Sequence, residues 1–235
     1  MATPAIGILM LDTGFPRIHG DVGNPRTYPF PVQFQVVQGA TTDNVVTGAD
    51  RARALLPAFI DAGRVLEATG VRAITTSCGF LSVVQHEMAA ALSVPFVASS
   101  LSLVPLVRQM VGGRPLGVIT AHSGHLSSRH LAACGIAPDW PVHVRGMEDV
   151  EAFHSPILGG AQTLDVNAVS RGTVDTCAAL QRDVPDLGAL VFECTNLQPC
   201  AQAVQAETGL PVFGIYHLVR MLHDATCAPQ FDRQP

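Results

Sequence analysis

The sequence predicts an α/β protein of two pseudo-symmetric, doubly wound parallel-sheet halves with the active site in the cleft between them. Three observations carry that prediction. First, the chain repeats itself: Val71–Leu103 lies on Leu187–Val219 at an offset of 116 positions without a gap. Ala73 then meets Ala189, Cys78 meets Cys194, Leu81 meets Leu197 and Pro95 meets Pro211. Second, short apolar runs stand beside turn residues, as buried parallel strands do. Third, stretches of helical spacing separate those runs, and strands alternating with helices imply parallel sheets joined by crossovers.

In chain order, Ala5–Leu11 reads as the strand that opens the first half. Phe15 to Pro31 holds Pro16, Pro25, Pro29 and Pro31 with Gly20 and Gly23, and is expected to be a long ordered loop of functional use. Leu55, Leu56, Phe59, Ile60, Val65 and Leu66 recur at helical spacing and stop before Gly70, a C-terminal cap. Val71–Thr76 is a strand, Ser77-Cys78-Gly79 a turn, Leu81–Leu92 a helix and Val94–Ala98 a strand. The second half repeats this with Leu116–Thr120, a helix over Val166–Leu180, strand Leu187–Phe192, turn Glu193-Cys194-Thr195, helix Ala201–Thr208 and strand Leu210–Gly214. The halves are placed at 1–99 and 100–214, with 215–235 returning to the first through a helix around Leu218–Ala225.

Composition excludes several classes. Hydrophobic residues make up 48% and charged residues 14%, which suits a folded chain with buried sheets and not disorder. The net charge is −5 and the 14 Lys and Arg are scattered, so nucleic acid is not an expected partner. No apolar run reaches the roughly 18 residues of a membrane span, and the N-terminus has no basic region ahead of a long apolar stretch. A cytoplasmic protein without a membrane partner is expected. The six cysteines form no C-x-x-C pair and none lies beside His at ligand spacing, so reduced thiols and no metal are expected.

In open α/β sheets ligands sit at the carboxyl ends of strands, where each repeat places its cysteine, just ahead of a helix. A thiol there meets the positive end of the helix dipole, which should bring its pKa down toward neutrality. Two such thiols facing one cleft from opposite sides could take a proton from a carbon and give one back, without metal or organic cofactor. Buried cysteines often only fill space, but equivalent positions in two repeats, among Thr, Ser, Asn and Gly, point to function for Cys78 and Cys194. Cys134, Cys177, Cys200 and Cys227 have no such partners and are read as structural.

Thr75-Thr-Ser-Cys78-Gly and Glu193-Cys194-Thr-Asn resemble the paired cysteine motifs of the aspartate/glutamate/hydantoin racemase superfamily, and Asp12-Thr13-Gly14 is similar to its Asp-Ser-Gly after the first strand. The resemblance covers most of the chain. It implies cofactor-independent proton transfer at a carbon beside a carboxylate, with Asp12 supporting a thiol and Thr13, Ser77, Gly79, Thr195 and Asn196 binding the substrate carboxylate. Amino-acid racemases usually carry Cys-Asn-Thr at the first site and Gly-Cys-Thr at the second, whereas this chain has Cys78-Gly79-Phe80 and Glu193-Cys194-Thr195. Maleate isomerase, a further relative, has a Cys-Thr-Asn like Cys194-Thr195-Asn196, and arylmalonate decarboxylases keep one cysteine of the two. Retention of both argues against decarboxylation.

Weaker signals surround these. Thr120 and Ser123 close the opening strand of the second half and could bind an anion with backbone amides. Ser99 and Ser100 are read as turn residues, and Arg17 and Arg26 as solvated arginines of the Pro-rich loop. His122, His125, His130 and His154 are read as solvated or core residues. Glu193 is expected to point away from the cleft, because neighbours on a strand face opposite sides. The leading expectation is a racemase or epimerase acting on an amino acid, hydantoin or similar small carboxylate or imide. A maleate-type cis-trans isomerase with a cysteine nucleophile and a non-catalytic small-molecule binding protein are the alternatives. A homo-oligomer is compatible with all three.

Overall fold

The structure is a computed structural model that describes residues 5–228. Residues 1–4 and 229–235 of the expected first half lie outside the described residues. The first half runs β1 (Ile6–Leu11), β2 (Val32–Val37), α1 (Thr42–Val46), α2 (Ala49–Ala54), α3 (Leu56–Ala68), β3 (Ala73–Thr76), α4 (Gln85–Ala91) and β4 (Phe96–Val97). The second runs α5 (Val104–Met110), β5 (Leu116–Thr120), α6 (Ser128–Ala133), β6 (Val142–Gly146), α7 (Glu151–Phe153), α8 (Val166–Asp183), β7 (Ala189–Phe192), α9 (Ala201–Thr208) and β8 (Val212–Phe213), and α10 (Ile215–Thr226) follows.

Each half carries a four-stranded parallel sheet, ordered β2-β1-β3-β4 in one and β6-β5-β7-β8 in the other. The pairing registers match as well: Ile6 opposes Ala73 as Leu116 opposes Ala189, and Ile74 opposes Phe96 as Leu190 opposes Val212. The repeat in the sequence is therefore a repeat of topology and register. The edge strands β2 and β6 were not anticipated. Val32-Gln-Phe-Gln-Val alternates apolar and polar residues and is only half-buried, so it lacks the continuous apolar run that marks the central strands.

The central strands are buried along their whole length, and helices close over them. Gly7 and Gly117 hold equivalent places, each the second residue of its strand. A Cβ on Gly7 would meet Leu66 of α3, and one on Gly117 would meet Leu180 of α8, so both glycines let a helical leucine sit directly on the sheet. The Asp165 side chain caps α8 by accepting from the Ala168 N–H at 2.9 Å, and Gly209 closes α9 in the left-handed region at φ 66°. The C-terminal helix α10 packs on β1 and β3 of the first sheet. No helix among the described residues is long and apolar enough to cross a membrane.

The Pro-rich loop is ordered by its own polar groups and by α10. Tyr28 stacks on Phe30 and on Tyr216, and Phe30 on His223 with ring centroids 3.7 Å apart. Asp21 is buried at its centre, where its carboxylate accepts from the Gly23 N–H at 2.7 Å and from Arg17 Nη1 at 3.1 Å.

Packing of α3 on the first sheet yields a paired test. Leu66→Ala should cost about 2–5 kcal/mol in denaturant unfolding, because the buried leucine leaves a cavity above Gly7. Val65→Ala, one residue away and 53% exposed, should change stability by less than about 0.5 kcal/mol.

Candidate active site

Two residues beyond the end of β3 and of β7 stands a cysteine in extended conformation, after which a 3-10 turn begins at Gly79 and at Thr195. The two turns are joined directly. The Thr195 hydroxyl donates to the Ser77 carbonyl at 2.6 Å, the Leu11 N–H donates to the Ser77 hydroxyl at 2.9 Å, and the Ser100 hydroxyl donates to the Phe192 carbonyl at 2.6 Å. These bonds hold the ends of both sheets against each other and leave a small cavity between them. Its wall includes Cys78 and Cys194, Thr13, Ser77, Gly79, Thr195 and Asn196, with Arg17 and Glu193, and the rest is mainly apolar: Leu11, Phe15, Val46, Phe80, Ile157 and Leu158.

Of the residues anticipated for substrate binding, Thr13, Ser77, Gly79, Thr195 and Asn196 are brought together here, and three are not. Asp12 is exposed and accepts from the Gly39 N–H at 3.4 Å, because β1 ends at Leu11 and the chain turns outward. Thr120 is fully buried behind the cavity and Ser123 bonds to Glu148, so neither reaches the wall. Ser99 caps its own turn by accepting from the Leu101 N–H.

Two residues come to the site against expectation. Arg17 is not solvated: its side chain is 16% exposed, lies over the Phe15 ring at 4.1 Å, and donates to Thr13 Oγ1 at 2.9 Å as well as to Asp21. Asp21 also accepts from Asn196 Nδ2 at 2.8 Å, so the Pro-rich loop is fastened to the second cysteine turn. Glu193 does not point away. Its carboxyl is fully buried in the cavity wall, Oε2 accepts the Thr120 hydroxyl at 2.7 Å, and Oε1 has no hydrogen-bond partner. The sequence signal for Glu193 was an acid ending the apolar run Ala189-Leu-Val-Phe, a place where a charge needs a reason. Nothing in the spacing marked Arg17 apart from its loop.

The thiols are not poised near neutrality. Burial, then the charge of Glu193, pushes Cys78 up to about 12, and the Phe80 N–H and Arg17 offset this in part. Cys194 is raised well above the ordinary thiol value by burial and then by Glu193, with Cys78 and Asp21 adding to the rise. Helix-dipole stabilisation loses here because each 3-10 turn is short and the site is enclosed, so desolvation of the anion dominates. Glu193 itself is pushed up to about 7 by burial, against the pull of the Thr120 hydroxyl.

The remaining cysteines and histidines stand apart. Cys134, Cys177 and Cys200 are buried, and Cys227 is half-buried at the end of α10. His130 is buried, pushed down to about 4 by desolvation, and its Nδ1 accepts from the Ser127 N–H. The His122 and His125 rings stack at 3.7 Å. Among the described residues no group of three His, Cys, Asp or Glu side chains could hold a metal ion.

Comparison with known proteins places this arrangement. No family model matches the chain. A dimethylsulfoniopropionate lyase of Durusdinium sp. clade D is 33% identical over 215 residues, which span 89% of this chain and 70% of that protein. Dimethylsulfoniopropionate lyase 3 of Emiliania huxleyi is 32% identical over 217 residues, 89% of this chain and 56% of that longer protein, so the chain spans little more than half of it. Among solved structures, unliganded arylmalonate decarboxylase superposes with a TM-score of 0.62 at 16% identity, covering 99% of this chain and 97% of that one. Glutamate racemase from Francisella tularensis in complex with D-glutamate gives 0.55 at 13% identity, covering 98% and 85%. The structures share the fold, and the sequence relatives are enzymes. The chain belongs to the dimethylsulfoniopropionate lyase family, on the two-lobed fold of the racemase and arylmalonate decarboxylase superfamily.

Proposed function

We propose that the chain is a carbon-acid lyase that removes a proton from the carbon beside a carboxylate and expels a leaving group from the next carbon. The observation that supports this most is one enclosed cavity walled by two thiols and a guanidinium. Similarity to dimethylsulfoniopropionate lyases favours dimethylsulfoniopropionate as the substrate. A cysteine thiolate takes the α proton; the C–H electron pair becomes the new double bond; the C–S pair leaves with sulfur. The products are dimethyl sulfide and acrylate, with the proton held on the thiol for return to water. Electrons and atoms balance between substrate and thiol, so the step calls for no cofactor.

Cys78 is the better base. Each thiolate is met by a backbone N–H, of Phe80 for Cys78 and of Asn196 for Cys194, but Cys78 also has the Arg17 cation nearby, whereas Cys194 faces the negative charge of Asp21. Cys194 then stays protonated on the opposite wall as a donor. Arg17, with the Thr13 hydroxyl beside it, receives the carboxylate and stabilises the charge that builds on it as the proton departs. The apolar wall excludes water, which strengthens both contacts.

A second reading, inversion of the carbon instead of elimination, draws on the retention of both thiols in one cavity. It predicts deuterium uptake at the α carbon of a small carboxylate with no loss of the β substituent.

Supplied with dimethylsulfoniopropionate, the protein should release dimethyl sulfide and acrylate in equal amounts, measured by headspace gas chromatography and NMR. Cys78→Ala should lower kcat by about 10²–10⁴-fold. Exchange in heavy water without cleavage would instead favour inversion. Arg17→Lys should keep the charge but lose the fork geometry, raising KM by about tenfold with a smaller change in kcat. Alkylation of Cys78 by iodoacetamide, followed by peptide mass spectrometry, should speed up about tenfold per pH unit from pH 7 to 9, since the thiol is far below half-ionisation throughout. A plateau in that range would show a resting thiolate and overturn this account of the base.

A further inference from the structure

The Glu193 carboxyl is the least explained group in the site. It is fully buried, yet Thr120 occupies only Oε2, and Oε1 is left without a partner in the cavity wall. A buried carboxyl oxygen with no donor is costly, and such a group is retained where something else completes it. The backbone accommodates it deliberately: a side chain on residue 79 would collide with Oε1, and Gly79 leaves that space to the carboxyl. Arg17 walls the same cavity but makes no ion pair with Glu193 among the described residues, its guanidinium being held by Thr13 and Asp21.

The surroundings narrow what could complete Oε1. Leu11, Phe15, Val46, Phe80, Ile157 and Leu158 present carbon to the cavity, which suits a cation clothed in methyl groups better than a hydrated ammonium with N–H bonds to satisfy. We propose that Glu193 is the counter-ion for a methylated onium centre at one end of a zwitterionic substrate, whose carboxylate end lies toward Arg17. This rests on the lyase reading for the identity of the substrate, but the charge preference it assigns to the cavity can be measured without turnover.

The pairing also has a consequence for the thiols. The Glu193 charge opposes ionisation of Cys78 and Cys194. A bound cation cancels that charge, so substrate lowers the cost of forming the thiolate that attacks it.

The test uses two ligands of one shape: 3-(trimethylammonio)propionate, whose amine is a poor leaving group, and its carbon isostere 4,4-dimethylpentanoate, which keeps the carboxylate but has no cationic centre. Calorimetric titration of the wild-type protein should show the onium ligand binding at least about tenfold more tightly, and in Glu193→Gln the ratio should fall to within about twofold. A wild-type protein without the preference, or a variant that keeps it, overturns the inference. Should Glu193→Gln fail to fold, pH provides the second measurement on the wild type. Glu193 must be ionised to hold the cation, so affinity for the onium ligand should rise about tenfold per unit from pH 5.5 toward 7 and then level, while the isostere shows no such rise. The other titratable groups facing Glu193, the thiols of Cys78, Cys134 and Cys194, ionise far above that range. Equal pH dependence for both ligands overturns the inference. Dimethyl sulfide release is assayed separately: a Glu193-dependent charge preference without release refutes the lyase reading alone, and release without the preference refutes this inference alone.

Discussion

Two parallel sheets of the same strand order meet at their carboxyl ends, and the contact is made by side-chain hydroxyls on backbone carbonyls: the Thr195 hydroxyl of one half reaches the carbonyl of Ser77 in the other at 2.6 Å. Much of the site depends on that contact. It sets how far apart the two cysteine turns stand, and the Ser77 hydroxyl, which accepts from the Leu11 N–H, ties the same turn to the first strand. Because Thr195 and Ser77 are both buried, neither bond can be exchanged for water without an unsatisfied group being left behind. The cavity is thus held by the backbone, and the side chains around it are positioned by their place in the turns.

Within that frame, charge is the scarce quantity. Three groups that can become negative, Cys78, Cys194 and Glu193, share one dry wall, and burial lifts all three. A site of this kind can bear little net negative charge until something positive enters. Arg17 supplies one fixed cation near Cys78, and Asp21 spends part of it on holding the loop. The two sulfurs are therefore kept mostly protonated, which protects them from oxidation and alkylation.

The repeat, the central strands, the long helices and the two cysteines were legible in the sequence because each rests on a local pattern: a continuous apolar run, a 3.6-residue period, or an equivalence at fixed offset. The edge strands β2 and β6 were not, since Val32–Val37 and Val142–Gly146 are half-solvated and lack a continuous apolar run. Direct support of a thiol by Asp12 was inferred from resemblance, and the outward turn after Leu11 removes it. Arg17 and Glu193 were misjudged for a common reason. Where a side chain points at the end of a strand or within a long loop is decided by contacts with distant residues, here Asp21, Asn196, Thr120 and Gly79, and no window of sequence contains them all.

The missing side chain at residue 79 links two departures from the racemase pattern that look independent in the sequence. Racemases carry Asn after the first cysteine and Gly before the second; this chain carries Gly79 and Glu193. Since a side chain at 79 and the carboxyl of Glu193 would contend for the same space, the two positions form one steric unit with its bulk moved from one half to the other. A side chain at 79 would meet the main-chain carbonyl of residue 193 as well as its carboxyl, so loss of the acid alone does not admit a larger residue there; the two turns would have to part. Glycine at 79 is thus what lets the halves close this tightly where they share an edge, and a change at either position alters first the spacing between them.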